Sequence, residues 1–430
     1  MQKATRVFVL ASFAVSSLWL PQTTQAVGPF LEPDAIPLVT LTGETPNDTF
    51  GWVAERLGDL DGDGAPDFIV GAPTSAAGGP NAGRAYVYSG RTGVLLHAVT
   101  GQPNERFGYA VAGVGDADGD GVPDYAVGGP GNLGLQTPLP GRVTLYSGGT
   151  HQVLRSWSGD ADSFFGADVN GAGDVDGDGL ADVLVGAPRT SRTGRLAGRV
   201  QLLSGGTGST IWTRDGLAAG DLLGTAVGGL GDFDGDGKPE QGAGARNAGK
   251  GGGLAYVLAG ADGSVARTLH PSGTAVDFGW FFVHDAGDLD GDGVKDVYVG
   301  DFADAWQGPN TGRGYVYSGA SGERIRTMNA EVSGDGFGVG RGIADMDGDG
   351  RADLFLAAYT SSAGAPGGGR AYVISGRNGR TLRTITGTVA GASLGVDAVG
   401  LGDVNGDGLT DFLLTTFNEV YVVAGTTLSK

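Results

Sequence analysis

The chain of 430 residues contains no cysteine, so no disulfide can brace it. Only 18% of its residues are charged, and no stripe of lysine and arginine appears, which argues against a nucleic-acid partner. Its four histidines, His97, His151, His270 and His284, share no motif spacing. Serine recurs in Tyr-Ser-Gly turns, at Ser89, Ser147 and Ser318. Apart from Val7–Leu20 near the start, no apolar segment approaches membrane-spanning length. Lys3 and Arg6 precede that short run, and Thr24-Gln25-Ala26 follows it with small residues. Residues 1–26 therefore read as a secretory signal peptide, with an uncleaved anchor as the alternative.

Glycine, by contrast, is abundant: 85 residues without a collagen period, as many short strands joined by tight turns require. Acid is abundant too, and it is clustered. "DLDGDGAPD" from Asp59 alternates carboxylates and places a glycine where a loop must turn sharply. Hard cations such as Ca²⁺ are bound by that kind of oxygen-rich loop. An EF-hand is excluded, because its twelfth position would be Val70, inside an apolar strand-like run.

Seven copies of the loop follow one another at intervals of 57, 58, 58, 56, 57 and 58 residues. The first offers the carboxylates of Asp59, Asp61, Asp63 and Asp67 and the main-chain carbonyl of Ala65. The second offers Asp116, Asp118, Asp120 and Asp124 with the Val122 carbonyl. The third has Asp174, Asp176, Asp178 and Asp182 with Leu180. In the fourth, Asp232, Asp234 and Asp236 are closed by Glu240, with Lys238 giving the carbonyl. The fifth uses Asp288, Asp290, Asp292 and Asp296 with Val294, and the sixth Asp345, Asp347, Asp349 and Asp353 with Arg351. The last combines Asp403, Asn405, Asp407 and Asp411 with Leu409. Seven copies dismiss a merely solvated turn, and up to seven Ca²⁺ are expected. The loops hold 27 of the 48 acidic residues, so the net charge of −20 belongs mostly to them.

A fixed period of this size marks a repeat architecture. Each unit opens with an apolar-glycine pair: Phe50-Gly51, Phe107-Gly108, Phe165-Gly166, Leu223-Gly224, Phe278-Gly279, Phe337-Gly338 and Leu394-Gly395. A strand then leads into the acidic loop, and a second strand ends in Gly-Ala-Pro or Gly-Gly-Pro. A third strand, a glycine turn and a fourth strand complete the unit. Four antiparallel strands repeated seven times predict an all-β, seven-bladed β-propeller over residues 27–430. The chain ends after a third strand, while Ala35–Gly51 aligns with a fourth strand and its following Phe-Gly. Ile36–Leu41 is therefore expected to pair with Val420–Ala424 and close the ring, removing an open edge.

The Phe-Gly start, the acidic loop and the Gly-Ala-Pro end resemble the FG-GAP repeats of integrin α-subunit propellers, over residues 36 to 425. The resemblance implies calcium between the first and second strands, with ligands engaged on the opposite face. The chain looks like the propeller alone, in a free-standing, secreted, bacterial-type form. The Gly-Ala-Pro element decays along the chain, to Gly242-Ala243-Gly244, Gly300-Asp301-Phe302 and Ala357-Ala358-Tyr359, and is unrecognisable in the last copy.

The cations read as structural, because nine residues of little but Asp and Gly bury no core, and no His or Glu recurs beside the loops as a catalytic metal centre would want. Arg84, Arg142, Arg199, Arg313 and Arg370 each follow a glycine at the start of the third strand and suggest pairing with a neighbouring blade's acid. Trp52, Tyr109 and Trp280 follow the Phe-Gly pairs and are candidates for the rim of the central channel. His284-Asp285 lies in a stretch, Phe278 to Asp288, one residue longer than its counterpart in the four units before it, which suggests a β-bulge. The variable loops 130–141, 189–198 and 301–313 lie opposite the acidic loops, where binding residues concentrate on rigid scaffolds. Asp301, Asp304 and Trp306 make the last of these a candidate ligand contact. The function expected is a secreted, calcium-binding, monomeric module, extracellular or periplasmic, for adhesion to an extracellular protein or glycan. A carbohydrate-active hydrolase or lyase on the same scaffold is the alternative, and a structural envelope component a third.

Overall fold

The computed structural model describes residues 28–131, 139–250 and 252–428; the N-terminal segment read as a signal peptide lies outside them. Among the described residues there are twenty-eight strands and no helix, in seven four-stranded antiparallel sheets. This is the seven-bladed propeller that the repeat period predicts. Blade 1 runs outward in chain order through Val53–Arg56, Phe68–Ala72, Arg84–Tyr88 and Leu95–Thr100. Blades 2 to 6 repeat the scheme, their inner strands being Ala110–Gly115, Asp168–Gly173, Leu223–Gly231, Val283–Gly287 and Phe337–Ile343.

Burial follows position in the blade. The second strands, such as Phe68–Ala72 and Asp182–Gly186, are buried at every residue, so both faces must be apolar. Fourth strands such as Leu95–Thr100 face solvent along one side. The core has no single centre. It is a set of seams between blades, as where Phe50, Val70 and Tyr86 of blade 1 meet Val399, Leu413 and Val422 of blade 7. Fully burying one such large side chain contributes about 1.5–3 kcal/mol.

The Phe-Gly pairs fasten blade to blade. Phe107 is fully buried and bridges Gly83 at the start of the preceding blade's third strand. Its partner Gly108 has φ +82, and a Cβ there would lie 2.3 Å from the Arg84 carbonyl oxygen, so only glycine fits. The same bridge recurs as Gly198 to Leu223, Gly312 to Phe337 and Gly369 to Leu394.

Blade 7 is composite. Its inner three strands, Ala398–Gly402, Asp411–Thr415 and Glu419–Val423, come from the C-terminus, and its outer strand is Pro37–Thr42. Val39 faces Val422 and Leu41 faces Val420, and the Ala424 N–H donates to the Ile36 carbonyl. The N-terminal strand thus closes the ring, as the alignment predicts. The residues before it extend the clasp to blade 6. Phe30 is buried against Tyr421, and the Glu32 carboxylate accepts from Thr384 and Thr386 of the outer strand Thr381–Thr386. Deleting residues 27–43 should therefore expose one strand edge and uncover a second. The expected product aggregates or unfolds without cooperativity in a circular-dichroism melt; a soluble, cooperative variant would contradict the closure.

Candidate binding face and cation loops

The acidic loops and the turns between third and fourth strands share one face, and a buried carboxylate joins them. In blade 1, Asp67 accepts the Leu60 N–H at 2.8 Å and the Gly90 N–H of the turn at 3.0 Å. Asp124, Asp182, Asp296, Asp353 and Asp411 bond a loop N–H and a turn N–H in the same way. Glu240 reaches the Phe233 N–H with its longer arm, so the one departure at this position keeps the function. The opening acid organises the rest: Asp59 accepts the N–H groups of Gly62 and Gly64. Both glycines have positive φ, +76 and +85, which the loop needs for its reversal.

This geometry fits a cation. Ligand atoms of Asp59, Asp61 and Asp67 lie within 4.8 Å of one another. So do those of Asp116, Asp118 and Asp124; of Asp174, Asp176 and Asp182; of Asp232, Asp234 and Glu240; and of Asp288, Asp290 and Asp296. Asp63 stands slightly apart, with one oxygen accepting from the Ala65 N–H and the other near Arg91. Burial pushes the closing carboxyls up, to about 6 at Asp67, Asp124, Asp182 and Asp353 and about 7 at Asp296. Neighbouring acids add to the effect, and a positive ion among them would offset both.

The other face holds the mouth of the central channel, lined largely by side chains from two recurring positions. One stands two residues after each apolar start: Trp52, Tyr109, Ala167, Thr225, Trp280, Val339 and Val396. The other follows the second strand: Pro73, Pro130, Pro188, Arg246, Phe302, Tyr359 and Phe417. These are the positions of the Gly-Ala-Pro proline. Correctly registered, the fourth copy reads Gly244-Ala245-Arg246, because the strand Glu240–Ala245 ends there. The decay of the motif is thus a replacement of proline by arginine and aromatics around the mouth. Trp52 packs on Tyr109 at 5.4 Å, and the ring of Phe281 reaches across from blade 5 to Trp52 at 5.9 Å. Together they enclose a cavity of about 150 Å³.

The extra residue of blade 5 accounts for that reach. It is taken up at Phe281, whose φ of +69 ejects the ring into the mouth before the strand begins. The bulge expected at His284-Asp285 is present between Asp285 and Gly287, but blades 2, 3, 4 and 7 share it, so the insertion is not its cause. His284 instead points into the channel at the standard inward position.

Below the aromatics the channel narrows to a charged waist that sequence reasoning missed. Arg341 of blade 6 pairs with Glu55 of blade 1 and Asp397 of blade 7. Asp397 also accepts the Ala54 N–H, and Asp168 of blade 3 accepts the Val227 N–H of blade 4 at 2.7 Å. These carboxylates tie inner strands across seams that lack a continuous ladder. Burial raises Glu55 despite Arg341, raises Asp168 to about 7, and with Arg341 drives His284 well below the usual imidazole range. Every channel carboxylate is already committed to an N–H or a guanidinium.

The other candidates divide. Trp52 and Tyr109 line the mouth cavity, while Trp280 sits beside it between Arg246 and Phe281. Asp301 and Asp304 are fully buried. The first accepts the N–H groups of Val276 and Asp277, the second the hydroxyls of Thr274 and Tyr315. Of the loop's three candidates, only Trp306 is exposed, at 49%, with the Arg313 guanidinium 4.1 Å from its ring. Of the recurring arginines, Arg84, Arg142 and Arg370 pair with Glu44, Glu105 and Glu331 in the links arriving from the preceding blade. Arg199 pairs with Asp215 of its own blade, and Arg313 lies 3.9 Å from Asp304. His97 and His151, unrelated in spacing, stack ring on ring at 4.6 Å.

Comparison with known proteins agrees with this anatomy. The FG-GAP repeat model matches residues 51–88 and 165–203, and an FG-GAP-like repeat model matches 345–414. Integrin alpha-7 of Homo sapiens is 35% identical over 163 residues, covering 35% of this chain and 13% of that protein. Integrin alpha-E of Mus musculus is 36% identical over 165 residues, 34% of this chain and 14% of that protein. Integrin alpha-4 of Xenopus laevis is 34% identical over 143 residues, 30% of this chain and 13% of that protein. The matched part is thus about one seventh of each relative's length. FG-GAP repeats on a seven-bladed ring make this propeller similar to those of the integrin α relatives it matches.

Two outcomes follow from the charges. Asp61 is exposed and acts in its loop chiefly as a carboxylate. Asp61→Asn should lower stability by about 1–3 kcal/mol in saturating calcium, the value of one lost site at ten- to hundred-fold saturation. In chelator the same change should be neutral or stabilising, because it relieves like-charge repulsion; an equal loss in both would show that no ion is held there. Asp168 is raised in the folded state, so between about pH 4 and 7 folding retains a proton that unfolding releases. Its contribution to stability therefore falls as pH rises through that window. Asp168→Asn should gain on the wild type between pH 4.5 and 7.5 in urea unfolding with calcium, and a pH-independent difference would contradict the shift.

Proposed function

We propose that the protein is an extracellular ligand-binding propeller, held rigid by up to seven Ca²⁺ and receiving its ligand at the channel mouth. The observation that carries this reading is the substitution of the proline ring by Arg246, Phe302, Tyr359 and Phe417 beside Trp52 and Tyr109. Aromatic planes around a cavity suit a protein or glycan ligand, and hot spots of binding are enriched in such side chains. The ions would be held by the loop carboxylates and main-chain carbonyls, with the closing acid of each loop as the buried ligand. Their role is to cross-link loop and turn, which fits the absence of any neighbouring general base.

The likeness to integrin α propellers and the export signal read in residues 1–26 support an extracellular or periplasmic setting, for a monomeric module spanning 27–430. No helix among the described residues is long and apolar enough to cross a membrane. A hydrolase or lyase finds less support, since Glu55, Asp168 and Asp397 are engaged in holding the inner strands. Trp306 offers a second, outlying contact on the same face.

Purified protein should bind members of a glycan and matrix-protein array without turning them over. Trp52→Ala should reduce retention at least tenfold while leaving the calcium dependence of the melt unchanged. Trp306→Ala should have a smaller effect. Binding that survives Trp52→Ala yet fails when the third-to-fourth-strand turns are altered would put the site on the wrong face.

A further inference from the structure

Blades 3 and 4 interrupt the aromatic collar. They carry Ala167 and Thr225 after the apolar-glycine pair, and Pro188 and Arg246 after the second strand, where blades 5, 6 and 7 have Phe302, Tyr359 and Phe417. The gap opens a side trough of about 160 Å³, with Tyr109, Phe164 and Phe281 as its aromatic wall and Arg189 and Arg246 at its border. Tyr109, Ala167 and Phe281 line both the trough and the mouth cavity, so the two are continuous.

Both arginines have donors to spare. The Arg246 guanidinium lies 3.8 Å from the Trp280 ring centroid, and Trp280 stacks in turn on Phe281, which fixes the group in orientation. One of its nitrogens meets Asp277 at 3.2 Å, while its Nε is buried without a partner. Arg189 is anchored through its N–H to the Ser163 carbonyl, and its Nε is likewise buried and unpartnered. It joins no ion pair, although Arg192 and Arg246 nearby do, and every acidic residue of the chain lies among the described ones. In a chain of net charge −20 whose acids crowd the opposite face, two arginines bordering one aromatic-walled trough make a local cationic site that an anion would complement.

We propose that this trough binds an acidic saccharide, a pyranose bearing a carboxylate. The inference rests on the mouth being the binding face. The sugar's C–H face would lie on Tyr109 or Phe164, and its carboxylate would take the planar donor forks of Arg189 and Arg246. A sugar suits the site better than an acidic peptide. An extended peptide needs free main-chain groups to pair with, and those around the mouth are used: the Gly108 N–H bonds the Gly128 carbonyl, Gly166 bonds Gly186, and Gly279 bonds Gly300.

The test is isothermal titration of the full, calcium-loaded chain with a glucuronate-containing hexasaccharide and with its methyl ester. The acid should bind at least tenfold tighter than the ester, and the advantage should shrink at high salt. Arg189→Gln and Arg246→Gln should each bring the acid down to the ester's affinity, while Tyr109→Ala should weaken both. Arg189→Gln removes a side chain that holds nothing else, so it remains decisive if Arg246→Gln fails to fold. Equal affinity for acid and ester, or an undiminished preference in Arg189→Gln, overturns the inference. If both forms bind equally and Tyr109→Ala abolishes both, the mouth stands as the site and only its acid specificity falls. An acidic peptide that binds through these arginines where neither sugar does overturns the saccharide assignment.

Discussion

One buried carboxylate per blade, the last acid of each loop, is the group on which the rest of the architecture turns. In six blades it bonds the loop with one oxygen and the glycine beyond the third strand with the other, and in blade 4 Glu240 bonds the loop through the Phe233 N–H. It thereby couples the first-to-second and third-to-fourth connections, and the blade becomes a closed frame at that end. The arrangement is unfavourable by itself, because burial and neighbouring acids raise the group's pKa. A cation among the acids would reverse that balance, and the loop, with almost no apolar side chain to bury, would then become as firm as a small core.

Fixing one end of every blade frees the other. The opposite connections need not repeat, and there the chain varies: prolines in blades 1 to 3, arginine in blade 4, aromatics in blades 5 to 7. The channel between the faces is stiffened by carboxylates that cross the seams, with Arg341 joining blades 6, 7 and 1 beside the ring closure. Breaking one partner of such a buried pair commonly costs about 3–5 kcal/mol, so this cluster strengthens both seams that flank the composite blade.

The fold was legible because its signal repeats. A period near 57 residues, a fixed acidic loop and a missing fourth strand at the end determine blade number, strand count and closure without any tertiary information. The mouth was half legible. Trp52 and Tyr109 follow a visible motif, but Phe302, Tyr359 and Phe417 stand where the Gly-Ala-Pro tripeptide fades. Counting from the closing acid instead of matching the tripeptide would have aligned them. The waist was not legible, since Glu55, Asp168, Arg341 and Asp397 are separated by up to several repeats and meet only when the ring closes. Asp301 and Asp304 illustrate a different limit: acids beside a tryptophan in a long loop look available, yet both carboxylates are consumed by neighbouring N–H and hydroxyl groups.

The central claim is that cations complete the loops and that the propeller's stability depends on them. The most direct measurement is the melting temperature of the full chain as free calcium is stepped from chelated to millimolar. Extracellular calcium modules bind at about 10⁻⁴–10⁻³ M, so the midpoint should climb steeply through that range, and magnesium should substitute poorly. A melting temperature that stays the same in chelator and in millimolar calcium would contradict the account.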